Sequence, residues 1–130
     1  KKVIFTHLHY DHIGCWDLFE NAEFFADKEE IEDFKEHKEW FIFGNDDYDI
    51  PLKPLKELKG FKIIKTPGHT RGAISLLYEK EKILFSGDTM FFHNSYGRTD
   101  FPNSDKEKME DSLGKLRNLD YKTLCPGHDY

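Results

Sequence analysis

Four short runs of β-branched and aromatic residues punctuate the chain, and each gives way to polar residues at a turn. Lys2-Val3-Ile4-Phe5 runs into Thr6-His7, and Phe61-Lys62-Ile63-Ile64-Lys65 into Thr66-Pro67-Gly68-His69. Lys82-Ile83-Leu84-Phe85 runs into Ser86-Gly87-Asp88, and Lys122-Thr123-Leu124-Cys125 into Pro126-Gly127-His128. Such residues favour strands while Pro-Gly and Ser-Gly end them, so the pattern predicts strands with a His or Asp just past each C-terminal end. Open α/β sheets place their sites there, because the loops converge on one edge while the strands hold them rigid. A strand over Ala73 to Tyr78 and a weaker extended segment over Ala22 to Ala26 are also predicted.

Two helices fall between these runs. Asp27 can cap the first with Glu30 as its reciprocal partner, and Ile31 and Phe34 give it an apolar stripe. Ser104 and Glu107 repeat the capping box before Met109, Leu113 and Leu116, whose spacing buries one face of the second. Gly44 to Gly60, with Asp46, Asp47, Asp49, Pro51 and Pro54, reads as an irregular loop. There is no repeat and no low-complexity tract.

The densest chemistry lies in Thr6-His7-Leu8-His9-Tyr10-Asp11-His12. In a strand His7, His9 and Asp11 would point one way and His12 the other, so the backbone must turn for all four to meet, and Gly14 suits a tight exit. The natural division gives His7 and His9 to one ion and Asp11 and His12 to a neighbour. Further ligands come from His69 and His128, each after Pro-Gly, and from Asp88, whose two oxygens can bridge two cations. Three imidazoles with the shared carboxylate suit one ion; Asp11, His12, His128 and the same carboxylate suit the other. Imidazole with carboxylate is compatible with Zn, Fe or Mn. Burying these groups so close together without a cation would be costly. His37, on a charged helix, and His93, in a loop, read as ordinary structural residues. Thr6, Thr89 and Asp129 are the candidates for fixing the imidazole tautomers.

Composition narrows the classes. With 130 residues, the chain reads as one domain, residues 1–130, with a single site. Its net charge of -6, from 25 acids against 19 Lys and Arg, argues against a nucleic-acid partner. No run approaches the roughly 18 apolar residues of a membrane span and no signal peptide is visible, so a cytoplasmic protein without a membrane partner is expected. Cys15 and Cys125 are the only cysteines and are expected to be reduced, Cys125 as a small core residue and Cys15 held in reserve as a further ligand near His12. The chain enters a strand straight from Lys1 and stops two residues after His128, and is therefore expected to be truncated at both ends.

The ordered motifs THLHYDH, TPGHT, SGDT and PGHD resemble those of the metallo-β-lactamase superfamily, nearly end to end. The resemblance implies an α/β (α+β) fold, a four-layer αββα sandwich with metals at one edge of its sheets, here lacking the strands before the first motif. It assigns His7, His9 and His69 to one metal, Asp11, His12 and His128 to a second, and Asp88 to the bridge. Gly97-Arg98-Thr99-Asp100-Phe101-Pro102 is similar to the small glyoxalase II-like hydrolases and to the related persulfide dioxygenases, which also share an ending like His128-Asp129-Tyr130.

The resemblance implies two divalent ions, zinc first with iron or manganese as alternatives, and a metal-bound hydroxide that cleaves a thioester or other activated acyl bond of a small-molecule substrate. Asp11 and Asp88 are the expected catalytic carboxylates; Arg98 is a candidate contact for a substrate anion, with a structural salt bridge to a nearby acid as the alternative. The helical region with which glyoxalase II proper holds glutathione has no counterpart here, so the acyl group rather than glutathione defines the expected substrate. The alternatives are a single-iron persulfide dioxygenase, a lactonase or β-lactamase-type hydrolase, and an inactive fragment of the fold. The oligomeric state is not encoded in any motif.

Overall fold

Each predicted run forms a strand in the computed structural model, which describes residues 1–44 and 48–130. In chain order the elements are β1 (Lys2–Ile4), α1 (Tyr10–Ile13), β2 (Glu23–Ala26), α2 (Lys28–Glu36), β3 (Leu52–Pro54), β4 (Phe61–Lys65), β5 (Ile74–Tyr78), β6 (Ile83–Gly87), α3 (Lys106–Arg117) and β7 (Thr123–Pro126). The strands divide into two sheets: β1-β2-β3, all parallel, and β4-β5-β6-β7, antiparallel except for the parallel β6-β7 pair. One helix covers each sheet, in keeping with the expected helix–sheet–sheet–helix order.

The sheets have separate cores. Ile31 and Phe34 of α2 pack with Phe5, Phe24, Ala26 and Phe41, while Met109, Leu113 and Leu116 of α3 pack on Ile64, Leu77 and Leu84. Fully burying a side chain of this size stabilises the fold by about 1.5–3 kcal/mol relative to leaving it exposed. The two helical stripes are thus what clamp the loops at the strand ends in place.

Several expectations are corrected. The segment read as a loop from Gly44 to Gly60 contains β3, an edge strand in which Pro54 is tolerated because its missing N–H faces no further strand. Asp46 and Asp47 of that segment lie outside the described residues. Asp27 does cap α2, accepting from the Glu29 amide at 3.0 Å, but Glu30 is fully buried and bonded elsewhere. The second capping box does not form. Helix α3 starts at Lys106, and the Ser104 hydroxyl instead donates to the His69 carbonyl at 2.8 Å. Gly14 keeps right-handed helical angles, so the turn after His9 comes from α1 itself, closed by the His12 amide on the His9 carbonyl at 2.9 Å.

Candidate metal centre

Loops following β1, β4, β6 and β7, together with the single turn of α1, bring His7, His9, Asp11, His12, His69, Asp88 and His128 to one edge of the two sheets. They form two groups, His7-His9-His69 and Asp11-His12-Asp88-His128, in each of which the donor atoms lie within 4.8 Å of one another. Asp88 stands between them. Its Oδ2 is 3.3 Å from Nε2 of both His69 and His128 and 3.7 Å from Nε2 of His7, while Oδ1 is 3.2 Å from Nε2 of His12. The Asp11 carboxylate reaches His128 at 3.2 Å and His12 at 3.6 Å. The first group is buried, whereas Asp11 opens toward solvent.

Contacts behind the imidazoles fix which nitrogen faces inward. His69 donates from Nδ1 to the Arg98 carbonyl at 2.7 Å, which leaves the Nε2 lone pair for the site. The Thr6 hydroxyl holds Nδ1 of His7 at 3.2 Å, so Nε2 again points in. His9 turns the other way, with Nδ1 facing His69 at 3.0 Å and Nε2 facing Asn103 Nδ2 at 3.5 Å. Asn103 Oδ1 is buried without a partner; rotating this amide half a turn lets it accept from His9 Nε2–H and leaves the Nδ1 lone pair for the site. Thr89 pairs with Thr66 rather than with an imidazole, and Asp129 is exposed with no imidazole contact among the described residues. His37 stacks on Trp40, His93 sits in an exposed turn, and Cys15 and Cys125 are free thiols, the former exposed.

The polar inventory fits divalent cations. Nε2 of His7, Nε2 of His12 and Oδ1 of Asp88 are buried without a hydrogen-bond partner, and orphaned donors and acceptors of this kind are costly unless something fills the space between them. The 3.2 Å approach of His12 Nε2 to Asp88 Oδ1 is a charge contact too poorly aligned to satisfy either atom. Backbone is kept thin at the same place. A Cβ on Gly127 would collide with Asp88 Oδ1 and lie 2.8 Å from His12 Cε1, and Gly87 takes a left-handed φ of 54° that delivers Asp88 to the centre.

Electrostatics prepares the first group for a cation. Burial, then the facing imidazoles, holds His7 well below the usual histidine range, and burial followed by His69 lowers His9 from 6.5 to about 4. Burial also lowers His69, against the Arg98 carbonyl and Asp88. At neutral pH these rings are therefore uncharged with lone pairs available. On the other side burial opposes charge on His12, but Asp88 and then Asp11 outweigh it and raise its pKa; burial of Asp88 is likewise overcome by His12, and its pKa falls. The His9 shift has a definite sign: stability it contributes is complete above 6.5 and is lost as pH falls through about 4, where the buried ring must charge. In the metal-free chain the His9 ring signals followed by NMR should accordingly titrate near pH 4; a midpoint at 6.5 would mean the ring is solvated.

Above the donors lies a cavity of about 360 Å³ lined by Tyr10, Phe43, Phe91, Tyr96, Phe101 and Tyr130 as well as by His9, Asp11, His69, Asp88 and His128. Arg98 also lines it, with its guanidinium bound to Asp100 by two contacts of 2.8 Å and placed 4.6 Å from the Phe101 ring centre. Thr70, Asn103 and the Arg98 carbonyl were not expected at the site from the sequence, and Glu30 was expected only as a helix cap. Only Glu30 left a signal, since it shares the helical stripe of Ile31 and Phe34 and so falls on the buried face.

Comparison with known proteins agrees with this geometry. A family model for the metallo-beta-lactamase superfamily matches residues 1–128. A probable metallo-hydrolase of Methanocaldococcus jannaschii is 36% identical over 129 residues, covering 98% of this chain and 56% of that protein. The hydroxyacylglutathione hydrolase GloC of Haemophilus influenzae is 30% identical, covering 87% of this chain and 60% of the relative. The crystal structure of TTHA1623 in a di-iron-bound form superimposes with a TM-score of 0.82 at 26% identity, over 99% of this chain and 70% of that one. The chain thus spans somewhat over half the length of these two curated relatives. No helix among the described residues is long and apolar enough to cross a membrane. With its motifs in order, its strand-end cluster formed and the family matched along almost its whole length, the chain belongs to the metallo-beta-lactamase superfamily.

Proposed function

We propose that this chain carries the dinuclear centre of a metal-dependent hydrolase acting on a thioester or other activated acyl substrate. His7, His9 and His69 would hold one divalent ion, Asp11, His12 and His128 the other, with Asp88 shared between them; zinc suits this donor set, and iron or manganese would also be accepted. The observation that carries the reading is Asp88, a buried carboxylate within 3.7 Å of four imidazoles drawn from three other segments of the chain. Ions bound there supply Lewis acidity that polarises a carbonyl and lowers the pKa of water to about 7.

The chain's own groups do the rest. Both carboxylates of the cluster line the cavity and reach His128, but Asp11 is the exposed one, so it is placed to accept a hydrogen bond from an attacking water and orient it toward the substrate carbon. The Arg98 carbonyl holds His69 in the Nδ1–H tautomer, and the Thr6 hydroxyl holds the His7 ring with Nε2 inward. Phe101 packs against both His9 and His69, at 5.1 and 5.7 Å between ring centres, and shields them from bulk water. The aromatic walls favour the apolar body of an acyl group. A substrate anion reaching Arg98 would share it with Asp100, which makes Arg98 a contributor to binding rather than to the chemical step.

The similarity to hydroxyacylglutathione hydrolases supports a thioester as the first substrate class to assay. Purified protein should release thiol from an acyl thioester, lose this activity on chelation and recover it on addition of zinc or manganese. Turnover that survives complete metal removal would sink the proposal.

A further inference from the structure

Glu30 is a carboxylate with no exposure to solvent in the first core, yet its two oxygens serve two different ligand loops. Oε1 accepts from the Leu8 amide at 2.9 Å, and Leu8 lies between His7 and His9. Oε2 accepts from the Thr70 hydroxyl at 2.8 Å, and Thr70 follows His69. The Gly72 amide also bonds to this carboxylate, and a Cβ on Gly72 would collide with the Glu30 backbone, so the loop after His69 is drawn tight against α2. Leu8 and Thr70 are themselves fully buried. An apolar side chain would fill the space more cheaply, since burying a carboxylate carries a large desolvation cost. What an apolar residue cannot do is accept hydrogen bonds from two chain segments at once.

From this geometry we infer that Glu30 is a positioning residue: it fixes the Thr6–His9 segment against the His69–Gly72 segment and so sets the spacing of the His7-His9-His69 group. Among the described hydrogen bonds and ion pairs it has none with the three imidazoles. The inference rests on the two-group reading above and adds that one group depends on α2 while the other does not. Asp11 and His12 are fixed by α1, Asp88 by β6 and His128 by β7, none of which bonds to Glu30 among the described contacts.

Zinc affinity of each group can be measured separately, on a His128→Ala background for the first group and on a His9→Ala background for the second. Supporting interactions one shell from a metal change affinity by roughly 10- to 100-fold. Glu30→Leu should weaken zinc binding about 100-fold on the His128→Ala background and less than about threefold on the His9→Ala background. Glu30→Gln should recover most of that loss, because its amide oxygen can still accept from Leu8 and the Thr70 hydroxyl can turn to accept from its NH₂. If Glu30→Leu does not fold, Thr70→Val decides, with an expected loss of about tenfold confined to the first group.

Equal loss in both groups, or unchanged zinc affinity in a folded Thr70→Val protein, would overturn the inference and leave Glu30 as a support of the fold only. If the parent His128→Ala and His9→Ala proteins bind no zinc, it is the two-group reading itself that fails.

Discussion

Asp88→Ala is expected to release both metals together and to lower thioester turnover by more than about 100-fold, since even removal of an outer-shell partner costs 10- to 100-fold. Among the described residues the carboxylate is the only anion within reach of His7, His12, His69 and His128 at once, and Asp11 reaches His12 and His128 but belongs to the open side. Asp88→Asn should behave almost as badly despite its shape, because the amide offers one oxygen and a donor where two lone-pair oxygens are needed. The fold should persist in both, as Asp88 lies outside the two apolar clusters. Elemental analysis with circular dichroism on the same sample checks this. Retention of two metals per chain in folded Asp88→Ala would remove the bridging assignment.

Gly127→Ala, a change of one methyl group, is expected to cost about 100-fold in rate, the typical penalty for displacing reacting groups by about 1 Å. The added Cβ would strike Asp88 Oδ1 and press on His12 Cε1, so both side chains must shift away from the second group. Gly114→Ala is the matched control. It lies in α3 with open space around its Cβ, and the same substitution there should leave turnover unchanged and raise stability by about 0.5–1 kcal/mol. Equal activity in the two variants would show that the approach at Gly127 is not functional.

The candidate site was legible in the sequence to the extent that strand-end chemistry is local. A His or Asp placed directly after a β-branched run and a Gly turn must emerge at a strand terminus, and four such runs in two sheets put these residues on one edge. His12 needed a backbone turn, and α1 supplies it. What lay beyond reach is the network that joins segments distant along the chain. Ser104 and Glu30 both stand where a capping box would use them, and local spacing favours that reading. Tertiary contacts reassign them: Ser104 ties down the His69 carbonyl and Glu30 bonds to Leu8 and Thr70 across 22 and 40 residues of sequence. The edge strand β3 was missed for a related reason. Pro54 looks like a loop residue until the parallel pairing with β2 leaves its outer side free.

Metal content of the freshly purified chain distinguishes a dinuclear centre from its alternatives. Two equivalents of zinc, or of mixed zinc, iron and manganese, are expected, falling to at most one when His7 and His9 are both replaced by alanine. A single iron that is retained when Asp11 and His128 are replaced would contradict the dinuclear centre and favour the single-iron, persulfide-oxidising alternative. Absence of bound metal from folded protein, even after reconstitution, would contradict the metal centre altogether.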